Sequence, residues 1–127
     1  MTMRQMLFSL TIAAGAFAGA ALAEDPAMYA DSSLGKVLVD AKGMTLYTFD
    51  KDSGGASACY DTCAQNWPPM AAAADAKPVG DYAIIDRTDG TKQWTYDGKP
   101  LYTFIKDSKA GDVTGDGVKG VWHVIKE

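Results

Sequence analysis

Three residues of this chain, Cys59, Cys63 and His123, could bind a soft metal ion or exchange electrons. Thiolates favour Cu(I), and an imidazole could complete such a site, so one interpretation is a copper- or haem-binding or redox protein. The other is a disulfide, the usual use of a cysteine pair outside the cytoplasm. We predict the Cys59–Cys63 disulfide, because the N-terminus indicates export and no Cys-x-x-Cys-His haem motif is present. A lone histidine such as His123 is by default a structural residue.

A tyrosine-x-phenylalanine-x-x-aspartate motif occurs twice and could form ligand sites that offer a phenol and a carboxylate. Its residues are Tyr47, Phe49, Asp52, Tyr102, Phe104 and Asp107. The structural interpretation instead places the rings in the core and lets each aspartate close the turn that follows the strand. We favour this interpretation, because burying one such ring contributes about 1.5–3 kcal/mol to a small domain.

Other chemistry has little support in the sequence. Asp112 and Asp116 occupy the first and fifth positions of a calcium-loop pattern, but His123 stands where the chelating glutamate is required. Ordinary Asp-Gly turns explain these residues better. No G-x-S-x-G nucleophile motif or phosphate-binding glycine loop occurs, and no carboxylate pair is singled out. We therefore predict that the chain is not an enzyme and has no cofactor.

An internal repeat organises the elements that must position these residues. Segment 43–53 returns as 98–108 at an offset of 55 residues, with 8 of 11 positions identical. The same offset pairs Trp67 with Trp122, whereas the cysteines and His123 have no like counterpart. Such self-similarity indicates a duplicated supersecondary unit. Any specific chemistry is therefore expected where the two copies differ.

Short β-rich runs alternate with turn signals along the chain. Strands are predicted over 36–40, 45–49, 82–86, 92–96, 101–104 and 121–125. A helix-like pattern over 57–67 contains both cysteines and is ended by two prolines. These patterns predict a mainly β fold: a small antiparallel β domain of about six short strands, built from two degenerate repeats, with one short disulfide-bearing helix or turn.

The N-terminus has the form of a secretory signal peptide. Arg4 precedes an apolar run, and Ala21-Leu22-Ala23 fits an A-x-A cleavage site. No cysteine stands near that site, so we predict no lipid anchor, and no membrane span after cleavage. The predicted organisation is a cleaved signal over 1–23, a flexible leader over 24–34, and a single β-rich domain over 35–127 with repeats at 35–89 and 90–127.

The combination of motifs resembles a bacterial secreted-repeat family of predicted lipoproteins without known function. The motifs in question are the two copies of the tyrosine-x-phenylalanine-x-x-aspartate motif and, between them, Cys59-x-x-x-Cys63 and Trp67-Pro68-Pro69. The likeness extends from about Gly35 to His123. The resemblance supports the internal repeat and supplies no catalytic residue to carry over.

These observations predict a periplasmic or secreted protein that acts as a non-enzymatic binding or interaction module of the cell envelope. Its partner would be an envelope protein or a small ligand, because a net charge of −4 disfavours nucleic acid. The alternative is a periplasmic copper, haem or redox protein that uses Cys59, Cys63 and His123.

Overall fold

Seven short strands form three antiparallel sheets in the computed structural model, which describes residues 25–127. The strands are β1 (Ala27–Ser32), β2 (Gly35–Asp40), β3 (Tyr47–Phe49), β4 (Tyr82–Asp86), β5 (Lys92–Tyr96), β6 (Lys99–Pro100) and β7 (Trp122–Val124). Within the described residues, one short helix, α1 (Thr62–Asn66), and a 3₁₀ turn (Val118–Gly120) complete the fold. The predicted mainly β class is confirmed. The predicted signal peptide over 1–23 lies outside the described residues.

The first hairpin joins β1 to β2 through a two-residue turn. The Ser32 hydroxyl accepts a hydrogen bond from the Leu34 N–H (3.0 Å) and donates one to the Gly35 carbonyl (2.7 Å). The structure here differs from the predicted flexible leader over 24–34, because residues 27–32 are a paired strand. Tertiary packing explains the difference: Ala27 is buried and Tyr29 packs against the core, although the local β propensity is weak.

The second hairpin, β4–β5, lies where the sequence predicts it, and β6 continues the sheet through Asp97 and Gly98. Both turn residues have positive φ (52° and 82°), as a tight hairpin turn requires. The predicted helix over 57–67 is shorter, because Asp61 has a positive φ of 55°, which a helix does not allow, and the helix begins after it. The predicted strand over 101–104 is reduced to isolated bridges of Tyr102 with Tyr47 and Pro69.

The two repeats meet at Tyr47 and Tyr102. Each backbone N–H donates to the carbonyl oxygen of the other residue, at 2.8 and 3.0 Å. On its other side Tyr47 pairs with Val124, and Tyr102 pairs with Pro69, the residue equivalent to Val124 at the 55-residue offset. The centre of the fold therefore has approximate twofold symmetry.

A stack of four aromatic rings follows the same symmetry. Its order is Phe49, Trp122, Trp67, Phe104, with centroid separations of 4.2, 3.8 and 3.9 Å. Tyr47 and Tyr102 meet the stack edge-on from the two repeats. A second buried cluster contains Ala27, Leu38, Leu46, Tyr82 and Leu101. Each repeat thus contributes one phenylalanine and one tryptophan to the ring stack and one tyrosine that packs against it.

Candidate functional site

The two tyrosine–aspartate motifs bond to each other across the repeats. The Tyr47 hydroxyl donates to Asp107 Oδ2 at 2.6 Å, and the Tyr102 hydroxyl donates to Asp52 Oδ2 at 2.7 Å. Both tyrosines are fully buried. Each repeat therefore supplies the acceptor for the phenol of the other, and neither phenol is available to a ligand.

The same aspartates also close the loops that follow them. Asp52 Oδ1 accepts the Ala58 N–H at 2.7 Å, and Asp107 Oδ1 accepts the Thr114 N–H at 2.9 Å. Burial raises the pKa of Asp52, against the opposing effect of the bond from Tyr102. The motif joins the repeats and shapes their loops, which is a structural role.

Alkaline pH should unfold the domain through its buried tyrosines. Burial, followed by the bond with an aspartate, raises the pKa of Tyr47, and burial does the same for Tyr102. Burial also raises the pKa of Tyr82 from 10.0 to about 12. Because the unfolded phenols ionise first, the stability that they contribute is full below pH 10 and is lost as the pH rises towards 12.

Tyrosinate absorbance and circular dichroism, followed together during the titration, test this expectation. Tyr60 is an internal control, because its bond with Thr88 lowers its pKa and it should ionise first, without unfolding. Ionisation of the buried tyrosines near pH 10 with unchanged circular dichroism would contradict the prediction.

The cysteines and the histidine lie in separate sites. Cys59 and Cys63 form the predicted disulfide, which is confirmed, and Cys59 is fully buried. His123 instead contacts Asp50, with Nε2 2.8 Å from Oδ2, and both side chains are substantially exposed. Within residues 25–127, no group of three or more His, Cys, Asp or Glu side chains is arranged to hold a metal ion. The copper-type arrangement of Cys59, Cys63 and His123 is therefore not formed.

The two aspartates of the calcium-loop pattern accept hydrogen bonds from backbone N–H groups. The Asp112 carboxylate accepts the N–H groups of Ser108 (2.8 Å) and Lys109 (3.2 Å). The bond from Ser108 lowers the pKa of Asp112. Asp116 Oδ1 accepts the Val124 N–H at 2.9 Å. These bonds give both aspartates a role in closing turns.

Arg87 is a buried residue whose structural role was not predicted from the sequence. Its buried guanidinium donates from Nη1 to Ser57 Oγ (3.0 Å) and Gln93 Oε1 (2.8 Å), and from Nη2 to the Cys59 carbonyl (2.7 Å). It also lies 4.2 Å from the centroid of the Tyr60 ring. Nε is 3.6 Å from Asp89 Oδ2, which is ion-pair distance but too long for a hydrogen bond. Arg87 thus attaches the disulfide loop to the second hairpin.

A surface cleft of about 390 Å³ lies between α1 and the 3₁₀ turn. Phe49, Trp67 and Trp122 of the ring stack line it, together with Cys63 and Val118. Lys51 and Lys119 also line this cleft and are both exposed. We call it the stack cleft. Cys63 and Val118 are equivalent at the 55-residue offset, as are Trp67 and Trp122, so the cleft is formed where the two repeats meet and differ.

Comparison with known proteins identifies the family. The sequence profile of a family described as a secreted repeat of unknown function matches twice, at residues 28–71 and 83–126. The chain belongs to this secreted-repeat family. The predicted resemblance is confirmed, and no curated protein or solved structure matches the chain.

The secreted-repeat matches also locate the duplicated unit. Because the two matched ranges differ by 55 residues, the β4–β5 hairpin is the counterpart of the β1–β2 hairpin. The repeat boundaries therefore differ from the predicted 35–89 and 90–127. Among residues 25–127, no helix has the length and apolar character that a membrane crossing requires.

Proposed function

We propose that this secreted-repeat protein is a non-enzymatic binding module of the bacterial cell envelope, located in the periplasm, and that it binds a small, partly apolar anion in the stack cleft. The observation that carries this proposal is a concave surface in which apolar side chains and two lysines lie together. Ligand sites in proteins commonly combine an apolar lining with a few polar groups that fix orientation.

The lining of the stack cleft favours an apolar ring or short chain. Trp67 and Trp122 are only 5% and 3% exposed, so a ligand would touch mainly the half-buried Phe49, Cys63 and Val118. The tryptophans lie directly behind this surface and hold it in one shape. A preformed site lowers the ordering cost of binding.

The charge of the cleft favours an anion. Lys51 and Lys119 line it in a chain whose net charge is −4. Within residues 25–127, neither lysine lies at ion-pair distance from a carboxylate. Both ammonium groups are thus available to a carboxylate, sulfonate or phosphate.

The absence of an acid–base pair in the cleft supports binding rather than catalysis. Its lining contains neither a histidine nor a carboxylate, and the pair formed by His123 and Asp50 lines a different part of the surface. Cys63 is part of the disulfide and is not a free nucleophile.

Titration with 8-anilinonaphthalene-1-sulfonate, an aromatic anion, should saturate at one site and quench tryptophan fluorescence. The Lys51→Glu/Lys119→Glu double variant should bind it about tenfold more weakly, since two exposed ion pairs contribute about 0.2–1 kcal/mol each and repulsion adds to their loss. Lys106→Glu is the matched control, because Lys106 is the exposed counterpart of Lys51 in the other repeat and does not line the cleft. Equal affinities of the double variant and the control would refute the proposal.

A further inference from the structure

A second cavity, of about 470 Å³, lies beside the starts of β1 and β4 and has a different chemical character. Three tyrosines line it, Tyr29, Tyr82 and Tyr96, and so do three acidic residues, Asp25, Asp81 and Glu127. We call it the tyrosine pocket. No lysine or arginine lines it.

The three rings of the tyrosine pocket form one group. The Tyr82 and Tyr96 centroids are 4.9 Å apart with an interplanar angle of 40°, and the Tyr29 hydroxyl donates weakly to the Tyr96 hydroxyl at 3.4 Å. Tyr29 and Tyr96 are half-buried, so their rings face both protein and solvent. Aromatic faces carry negative electrostatic potential and attract a cation that lies over them.

The acidic side chains strengthen this attraction. Within residues 25–127, none of the three lies at ion-pair distance from a basic side chain. Burial raises the pKa of Tyr82 to about 12, with smaller contributions from Tyr96, Asp25 and Asp81. The Tyr82 ring therefore stays neutral at physiological pH, and the carboxylates lie close enough to influence it.

We infer that the tyrosine pocket binds an organic ammonium cation of the alkylated or quaternary type. A bare metal ion fits poorly, because in the described part of the chain no three acidic or histidine side chains converge on one point. A large, weakly hydrated cation instead gains from the ring faces and from carboxylates placed around them. This site is separate from the stack cleft, and the two pockets share no lining residue.

Choline and its uncharged carbon isostere, 3,3-dimethyl-1-butanol, test the inference by nuclear magnetic resonance titration of the protein. Choline should shift signals of Tyr29, Tyr82 and Tyr96, and the isostere should bind at least about tenfold more weakly because it lacks the charge. Tyr29→Phe keeps the ring and should preserve binding, whereas Tyr29→Leu removes it and should weaken binding about fivefold to tenfold. Asp81→Asn should weaken binding, and the exposed control Asp75→Asn should not.

Equal binding of choline and the isostere, or no difference between Tyr29→Phe and Tyr29→Leu, would overturn the inference. Thermal melts of each variant show whether it is folded, and Asp81→Asn supplies a test that leaves the rings in place.

Sedimentation with phosphatidylcholine vesicles distinguishes two sources of the cation. Binding to both choline and vesicles supports a lipid headgroup, and binding to choline alone supports a free cation. Binding to neither would overturn the inference. The Lys51→Glu/Lys119→Glu variant should bind choline normally, so the proposal for the stack cleft and the inference for the tyrosine pocket are tested independently.

Discussion

Trp67→Ala should lower the free energy of unfolding by about 3–5 kcal/mol, because it removes a central ring of the four-ring stack and leaves a cavity. Trp67 stacks on Trp122 at 3.8 Å and on Phe104 at 3.9 Å, and it meets Tyr47 edge-on. A small domain has a total stability of about 5–15 kcal/mol, so much of the stability would be lost. Urea unfolding followed by far-ultraviolet circular dichroism, with the disulfide kept oxidised, measures the change.

The matched control for this prediction is Trp94→Ala. Trp94 is half-buried and packs against the second cluster, outside the ring stack. Trp94→Ala should lower the free energy of unfolding clearly less than Trp67→Ala does, because fewer of the contacts of Trp94 are fully buried. If the two variants were equally destabilised, the stack would not be the main source of stability. Gly115 packs so closely on Trp67 that a Cβ at position 115 would lie 2.7 Å from Trp67 Cη2. This close packing is a further reason to expect a large loss of stability in Trp67→Ala.

Arg87→Met should be destabilised by several kcal/mol, because each buried acceptor that loses its donor costs about 1–3 kcal/mol. The Cys59 carbonyl and Gln93 Oε1 would lose their donors from Arg87, although Gln93 would keep the bond from its amide to the Leu101 carbonyl. Buried acceptors without a donor carry a desolvation penalty. Arg87→Lys should be only a partial rescue, because an ammonium cannot reproduce the planar fork of a guanidinium.

Lys92→Met is the control for Arg87, because both are cations of the second hairpin. Lys92 forms an ion pair with the exposed Asp86 at 2.6 Å, and its loss should cost about 0–1 kcal/mol. Denaturant unfolding of the three variants beside the wild type gives the comparison. An Arg87→Met protein as stable as Lys92→Met would show that the guanidinium network contributes no net stability.

Features that depend on residues close together in the sequence could be predicted. The hairpin formed by β4 and β5 was predicted with correct boundaries, because two β-rich runs are bounded by the Asp89-Gly90 and Asp97-Gly98 turns. The prediction of the disulfide rested on two cysteines four positions apart and on the predicted signal peptide.

Features that depend on docking of the repeats could not be predicted. Nothing in the motif determines whether Tyr47 bonds to Asp52 of its own repeat or to Asp107 of the other. The contact of His123 with Asp50 spans 73 residues and has no counterpart in the repeat pattern. The burial of Arg87 was likewise hidden, because its neighbours Asp86 and Asp89 have the composition of an exposed turn.

The reciprocal bonds between repeats have a consequence for the order of folding. Tyr47 and its acceptor Asp107 are 60 residues apart, and Tyr102 and Asp52 are 50 apart. During synthesis the first repeat emerges without the aspartate, tryptophan and phenylalanine that complete its core. Because these contacts join residues that are distant in the sequence, we expect the first repeat to complete its core only after the second repeat follows. We expect such a nascent chain to remain incompletely folded until its second repeat has been made.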